Sequence, residues 1–201
     1  MKTIFFDIDS QLDFLYPSGA LYVPGAERVV SGIARLNHFA AAHGIPVVST
    51  ADAHTENDPE FKSWPPHCVA GTTGQHKAEA TLLERRVVVP NAECDLAIEG
   101  AQQIVVEKQN TNAFTVPNLS RVIERLAADR FVVYGVVTEI CVLFAARGLL
   151  KLGKPVVIVY SKNGKQSTLT ITPVMTAIDG AEPKWMIGVN LGPRVEVVSL
   201  S

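Results

Sequence analysis

The sequence predicts an α/β fold in three layers, a mostly parallel central sheet with helices on both faces. Two patterns predict it. Short apolar runs alternate with segments of helical period from Ile4 to about Tyr160. Those runs are apolar throughout rather than alternating with polar residues, as in strands buried on both faces. A chain of 201 residues, 47% hydrophobic and 19% charged, can bury one substantial core, and residues 1–201 are read as one domain.

Ile4-Phe5-Phe6 is the first strand, and Asp7 and Asp9 stand at its carboxyl end. Pro17, Gly19, Pro24 and Gly25 punctuate the following loop. Val29, Val30, Ile33, Leu36, Phe39 and Ala40 then recur at helical spacing within Glu27 to Ala42, and Gly44 ends that helix. Ile45 to Thr50 is a second strand, and a long polar segment runs on to about residue 85. Loops of that length inside a domain are usually functional. Ile104-Val105-Val106 is a strand, Pro117 to Ala128 a helix, Phe131 to Tyr134 a strand, Thr138 to Leu152 a helix and Pro155 to Tyr160 a strand. Ligands of such sheets bind at the carboxyl ends of the strands.

A formal net charge of −2 provides no basic field for a phosphate backbone, so nucleic acid is not the expected partner. No apolar run approaches the roughly 20 residues that span a bilayer, so no membrane partner is expected. Acidic residues follow Met1 too soon for a secretory leader, which makes the cytoplasm the expected compartment. Three widely spaced cysteines, Cys68, Cys94 and Cys141, suit neither a disulfide framework nor a CxxC metal knuckle.

The strongest local signal is Gly135-Val136-Val137-Thr138-Glu139-Ile140-Cys141-Val142, which leaves a buried strand and opens a helix. A thiol in a first helical turn feels the positive end of the helix dipole, which favours thiolate, and free N–H groups there can receive an oxyanion. Thr138 suits the N-cap and Glu139 the first turn. A lone buried cysteine is also an ordinary small hydrophobe. Asp9 and Lys108 end two further strands, so a parallel sheet brings both to the rim where Cys141 sits. There a carboxylate can shuttle the thiol proton and a lysine can hold the two negative charges. Asp52-Ala53-His54, with His67 of Trp64-Pro65-Pro66-His67, offers one carboxylate and two imidazoles, a donor set for a divalent ion such as zinc. Asp52 and His54 can point to the same side of an extended segment.

Together, Asp9-Ser10-Gln11-Leu12-Asp13-Phe14, Lys108 and the Gly135 to Val142 segment resemble the isochorismatase-like cysteine hydrolase superfamily, through about the first 160 residues. Asp52-Ala53-His54 with Trp64 to Val69 looks like its nicotinamidase and pyrazinamidase branch. The resemblance implies a catalytic triad of Asp9, Lys108 and Cys141, and metal ligands Asp52, His54 and His67, with zinc the favoured ion. It further implies a cis peptide between Val136 and Val137, an oxyanion hole from the amides of Val137 and Cys141, and aromatic walls from Phe14 and Trp64. The expected reaction is cleavage of a small, nicotinamide-like amide to acid and ammonia through a thioester, in a homo-oligomer. The alternatives are another small amide, an isochorismate-like substrate, or a catalytically silent scaffold of the same fold.

Two stretches depart from the family pattern. Gln109 to Asn118 looks more like the broader hydrolases than the nicotinamidases. From about residue 161 the chain is rich in Lys, Thr, Gly and Pro where the family has an amphipathic helix, with residues 172–179 the best remaining helical stretch. Divergence or a shifted reading frame would each leave that pattern, and translating codons 161–201 in the other frames separates them.

Overall fold

The computed structural model describes residues 1–162, 165–176, 184–190 and 195–199, with side chains through Tyr160. Strand β1 (Thr3–Ile8) pairs in parallel with β2 (Val47–Asp52) on one side and β5 (Arg130–Gly135) on the other. Outside β2 lie β4 (Gln103–Lys108) and then β3 (Arg86–Val89), also parallel. Outside β5 lies β6 (Val156–Lys162), which completes six parallel strands in the order β3-β4-β2-β1-β5-β6.

The sheet separates two apolar layers. On one face α3 (Pro117–Leu126) and α4 (Leu143–Leu150) bury Leu119, Val122, Ala145 and Leu149 against Ile4, Phe6, Ile104 and Val133. On the other, α2 (Val30–Ala42) buries Ile33 and Ala40 against Phe5, Val47 and Val132. Alternate residues of β1 thus feed opposite cores, as the twofold period of a strand requires. A four-residue helix, α1 (Leu12–Leu15), follows β1 directly.

The expected strands and helices lie where the apolar runs place them, with three differences. Arg86–Val89 forms the edge strand β3, which its charged approach, Glu84-Arg85-Arg86, disguised. The expected helix at Thr138 to Leu152 begins with a π turn over Thr138–Val142 before α4. The helix expected over residues 172–179 is not formed, because β7 (Lys165–Thr176) runs through its first part; residues 177–179 lie outside the described ones. Strand β7 joins β6 antiparallel and is followed by β8 (Lys184–Asn190) and β9 (Val195–Ser199), antiparallel in turn.

Candidate active site

Three parallel strands end side by side and deliver three charged side chains to one place. In the ladder Ile8 faces Thr50 and Asp52 faces Lys108. Asp9 comes one residue beyond the last pair, in a left-handed conformation (φ 49°) that aspartate tolerates better than most residues. Its Oδ1 accepts the Thr50 hydroxyl at 2.6 Å, and its Oδ2 lies 3.0 Å from Lys108 Nζ. The same ammonium donates to Asp52 Oδ1 at 2.5 Å. Asp9 and Lys108 are buried, as expected of charges kept only as partners.

One lysine between two buried carboxylates cannot hold both fully ionised. Burial lifts Asp52 to about 6, against the pull of Lys108 and with the push of the Asp9 charge. Burial also works against Asp9, yet the Lys108 charge and the bonds from Thr50, Lys108 and Cys141 hold it below the ordinary carboxylate value. The shorter lysine contact is therefore not the one that keeps the charge; the additional donors on Asp9 decide it. Lys108 itself, despite burial, stays well above its usual value because both carboxylates face it.

Cys141 reaches this group from the end of β5. Gly135 makes the exit possible: its φ is 142°, and a Cβ there would overlap the backbone of Ile8. Val137 follows with φ 24°. The implied cis bond between Val136 and Val137 is absent; the peptide is trans, and the chain turns instead through this unusual φ. The cap is Val137 and not Thr138, and no side chain caps the turn. The Val137 carbonyl accepts from the amides of Ile140 at 3.1 Å and Val142 at 3.2 Å, the residues on either side of Cys141. An α-helical bond would have used the Cys141 amide between them.

The Cys141 thiol lies near enough to Asp9 for each group to shift the other's protonation. Burial and the Asp9 charge push it above the ordinary thiol value, with Lys108 pulling the other way. Burial and the neighbouring carboxylate thus favour the thiol, against the pull toward thiolate expected of a helix start. Asp9 Oδ2 has Lys108 beside it at 3.0 Å but no aligned hydrogen-bond partner.

Beside Lys108, Asp52, His54 and His67 converge, with one ligand atom from each within 4.8 Å of the others. Asp52 Oδ1 lies 3.9 Å from His54 Nε2. Asp58 Oδ2 approaches His54 Nδ1 to 3.1 Å, and the Pro65 carbonyl lies 2.8 Å from His67 Nδ1, so each imidazole has its Nδ1 engaged and its Nε2 free to face the other donors. Burial holds His67 below its usual pKa, toward the neutral form that binds metals. His54 is fully buried; Asp58 stands beside its Nδ1 without an aligned hydrogen bond, and its Nε2 has no partner, which is the place a cation would fill. The residues fit a divalent ion.

Phe14 is buried with its ring 5.3 Å from that of His67. Trp64 is one-third exposed, and the aromatic ring set against both imidazoles is Phe61, 5.2 Å from His54 and 5.7 Å from His67. A groove of about 370 Å³ lined by Ile33, Tyr134, Val136 and Val137 touches the nucleophile turn from its far side and contains neither Asp9, Lys108 nor Cys141. Gln11 was also unforeseen: its buried carboxamide exchanges two bonds with the Asp52 backbone, at 2.7 and 2.8 Å, in place of the strand that β1 no longer provides. Its spacing from Asp9 and the i,i+4 spacing of Asp58 from His54 were the only signals in the sequence.

A family model described as the isochorismatase domain matches residues 3–162. No curated protein is matched by the sequence. Among solved structures, a nicotinamidase from Bacillus subtilis is 26% identical with a TM-score of 0.66, over 79% of this chain and 83% of its own. The pyrazinamidase of Pyrococcus horikoshii in complex with zinc is 26% identical, TM-score 0.61, over 77% and 81%. An N-carbamoylsarcosine amidase from Thermoplasma acidophilum, at 24% identity and TM-score 0.65 over 79% and 82%, shares the fold. A match over some four-fifths of the chain, spanning all these residues, makes this protein a member of the isochorismatase family of hydrolases.

Proposed function

We propose that the protein is a cysteine amidohydrolase that converts a small, nicotinamide-like amide to its acid and ammonia. The observation that carries this reading is the buried Asp9–Lys108 pair at 3.0 Å, with the buried Cys141 thiol beside it, at the carboxyl ends of parallel strands. Asp9 takes the thiol proton as sulfur bonds to the amide carbon. The carbonyl electrons move to oxygen, where the amides of Val137 and Cys141 receive the negative charge. The π turn supports that role for Cys141, since its neighbours and not it bond the Val137 carbonyl. Asp9 returns the proton to the departing nitrogen, ammonia leaves and a thioester remains. Water, giving its proton to Asp9, then hydrolyses the thioester and restores the thiol. Lys108 stays protonated throughout and limits the cost of holding Asp9 ionised.

Asp52, His54 and His67 would hold a divalent ion, zinc being the one seen in the Pyrococcus relative. Bound there, such an ion supplies Lewis acidity toward a ring nitrogen or a water. Phe14 flanks that position, and Trp64 at the rim would close the other side of an aromatic substrate. The test is ammonia release from nicotinamide, pyrazinamide and simple aliphatic amides by the wild type and Cys141→Ala. Release by the wild type and none by the variant, with an unchanged circular dichroism spectrum, is expected; near-normal turnover by the variant rejects the mechanism.

A further inference from the structure

His67 is the one member of the metal-binding trio that lies well outside the sheet. Asp52 belongs to β2 and His54 follows it by two residues, whereas His67 comes from the long segment beyond. What fixes His67 is the residue after it. Cys68 is not glycine, yet its φ is 44°. Its amide donates to Asp13 Oδ2 at 2.7 Å, and its carbonyl accepts the His54 amide at 3.1 Å. The other Asp13 oxygen accepts the amide of Ala20 at 2.9 Å. The carboxylate lies directly over Gly74, where a Cβ would overlap it. From α1, therefore, Asp13 grips the backbone beside His67 while the next residue, Phe14, packs on the imidazole itself.

We propose that Asp13 is a positioning residue for the metal site, holding Cys68 in the left-handed conformation that sets His67 opposite Asp52 and His54. The proposal rests on the metal reading above. Gly74 serves the same arrangement by leaving room for the carboxylate, so the loop is held through two residues that touch no ligand.

The experiment is titration of the full, metal-free chain with Co(II), read by visible absorption, together with the rate of Cys141 alkylation by iodoacetamide. Asp13→Ala should weaken Co(II) binding by about 10- to 100-fold, the usual effect of losing a partner behind a ligand. Asp13→Asn, which keeps an oxygen acceptor, should lose less. Gly74→Ala, whose φ needs no glycine, should weaken binding by displacing the carboxylate. In a His67→Ala background Asp13→Asn should change little, because the two act on one ligand. Cys141 alkylation should stay within about twofold in every Asp13 and Gly74 variant. Wild-type Co(II) affinity in Asp13→Ala, an undiminished Asp13→Asn effect without His67, or a parallel change in Cys141 alkylation overturns the assignment. A wild type that binds no Co(II) removes the metal reading, and the proposal with it.

Discussion

Two aspartate–lysine pairs stand two residues apart, one within β1 and one just past its end, and only the second sits beside a cysteine. Asp7 lies inside the ladder, opposite Ser49 and Tyr134. Its Oδ2 accepts from Asn37 at 3.1 Å and Ser49 at 3.3 Å, with Lys77 Nζ at 3.4 Å, and Tyr134 closes the group by donating to Asn37 at 2.6 Å. Asp9 lies one residue past the ladder, beside Lys108 and the Cys141 thiol. Residue type and burial are the same in both pairs. What separates them is the strand end, where the backbone turns away and leaves a carboxylate oxygen facing a thiol instead of amides and hydroxyls.

Replacing each carboxylate by its amide sharpens the contrast. Asp9→Asn should lower kcat/KM by about 10²- to 10⁴-fold in an ammonia-release assay, the range for losing a general base, with a smaller loss in urea unfolding than Asp7→Asn because Asp52 still faces Lys108. Asp7→Asn should do the reverse. It leaves Lys77 buried beside a neutral group, a loss of about 3 kcal/mol in urea unfolding, while kcat/KM stays within about tenfold. Adding Lys77→Met should restore part of that stability. If Asp7→Asn impairs turnover as much as Asp9→Asn, the two pairs are not functionally distinct. Gly135→Ala, which pushes a methyl into the Ile8 backbone between the two aspartates, should lower stability by about 2 kcal/mol and slow turnover through the displaced turn.

The smallest expected effect is on pH dependence, in the metal-free protein. Asp9 is held low, so its contribution is present above the ordinary carboxylate value and lost as pH falls through the folded one. Asp52 has the opposite sign. Raised from 3.8 to about 6, it contributes stability below 3.8 that is lost as pH rises through about 6. Melting temperatures of Asp52→Asn between pH 4 and 7 should therefore fall less with rising pH than those of the wild type, and an identical slope would remove Asp52 as the cause.

The parallel sheet was legible because its strands are buried on both faces, so Ile4 to Phe6, Ile104 to Val106 and Phe131 to Tyr134 are apolar without interruption. The meeting of Asp9, Lys108 and Cys141 followed from position, since all three come at or just past the carboxyl ends of strands. Nothing in the residue pattern ranks Phe61 against Trp64, two aromatic residues of one loop whose facing depends on the 3-10 turn Pro59–Lys62. Periodicity does not distinguish a π turn from an α turn within five residues, and it predicts no long-range bond such as Asp13 to Cys68. The protonation of Cys141 is the clearest case. A helix start read from sequence favours the thiolate, while the burial and the Asp9 charge that decide otherwise belong to the folded state.

The π turn at Thr138–Val142 carries one residue more per turn than the helix it feeds, and that extra residue sets the facing of everything after it. Ala145, Ala146, Leu149 and Leu150 of α4 point into the core, while Leu143 and Phe144 remain partly exposed. Deleting one residue before Cys141 would make the Val142-to-Val137 bond an ordinary α-helical one and shift Cys141 a position nearer the strand end. It would also rotate α4 by about 100° and bring its exposed side toward the sheet. Point substitutions in this turn can be absorbed one at a time, but a change in its length strikes the nucleophile and the core together.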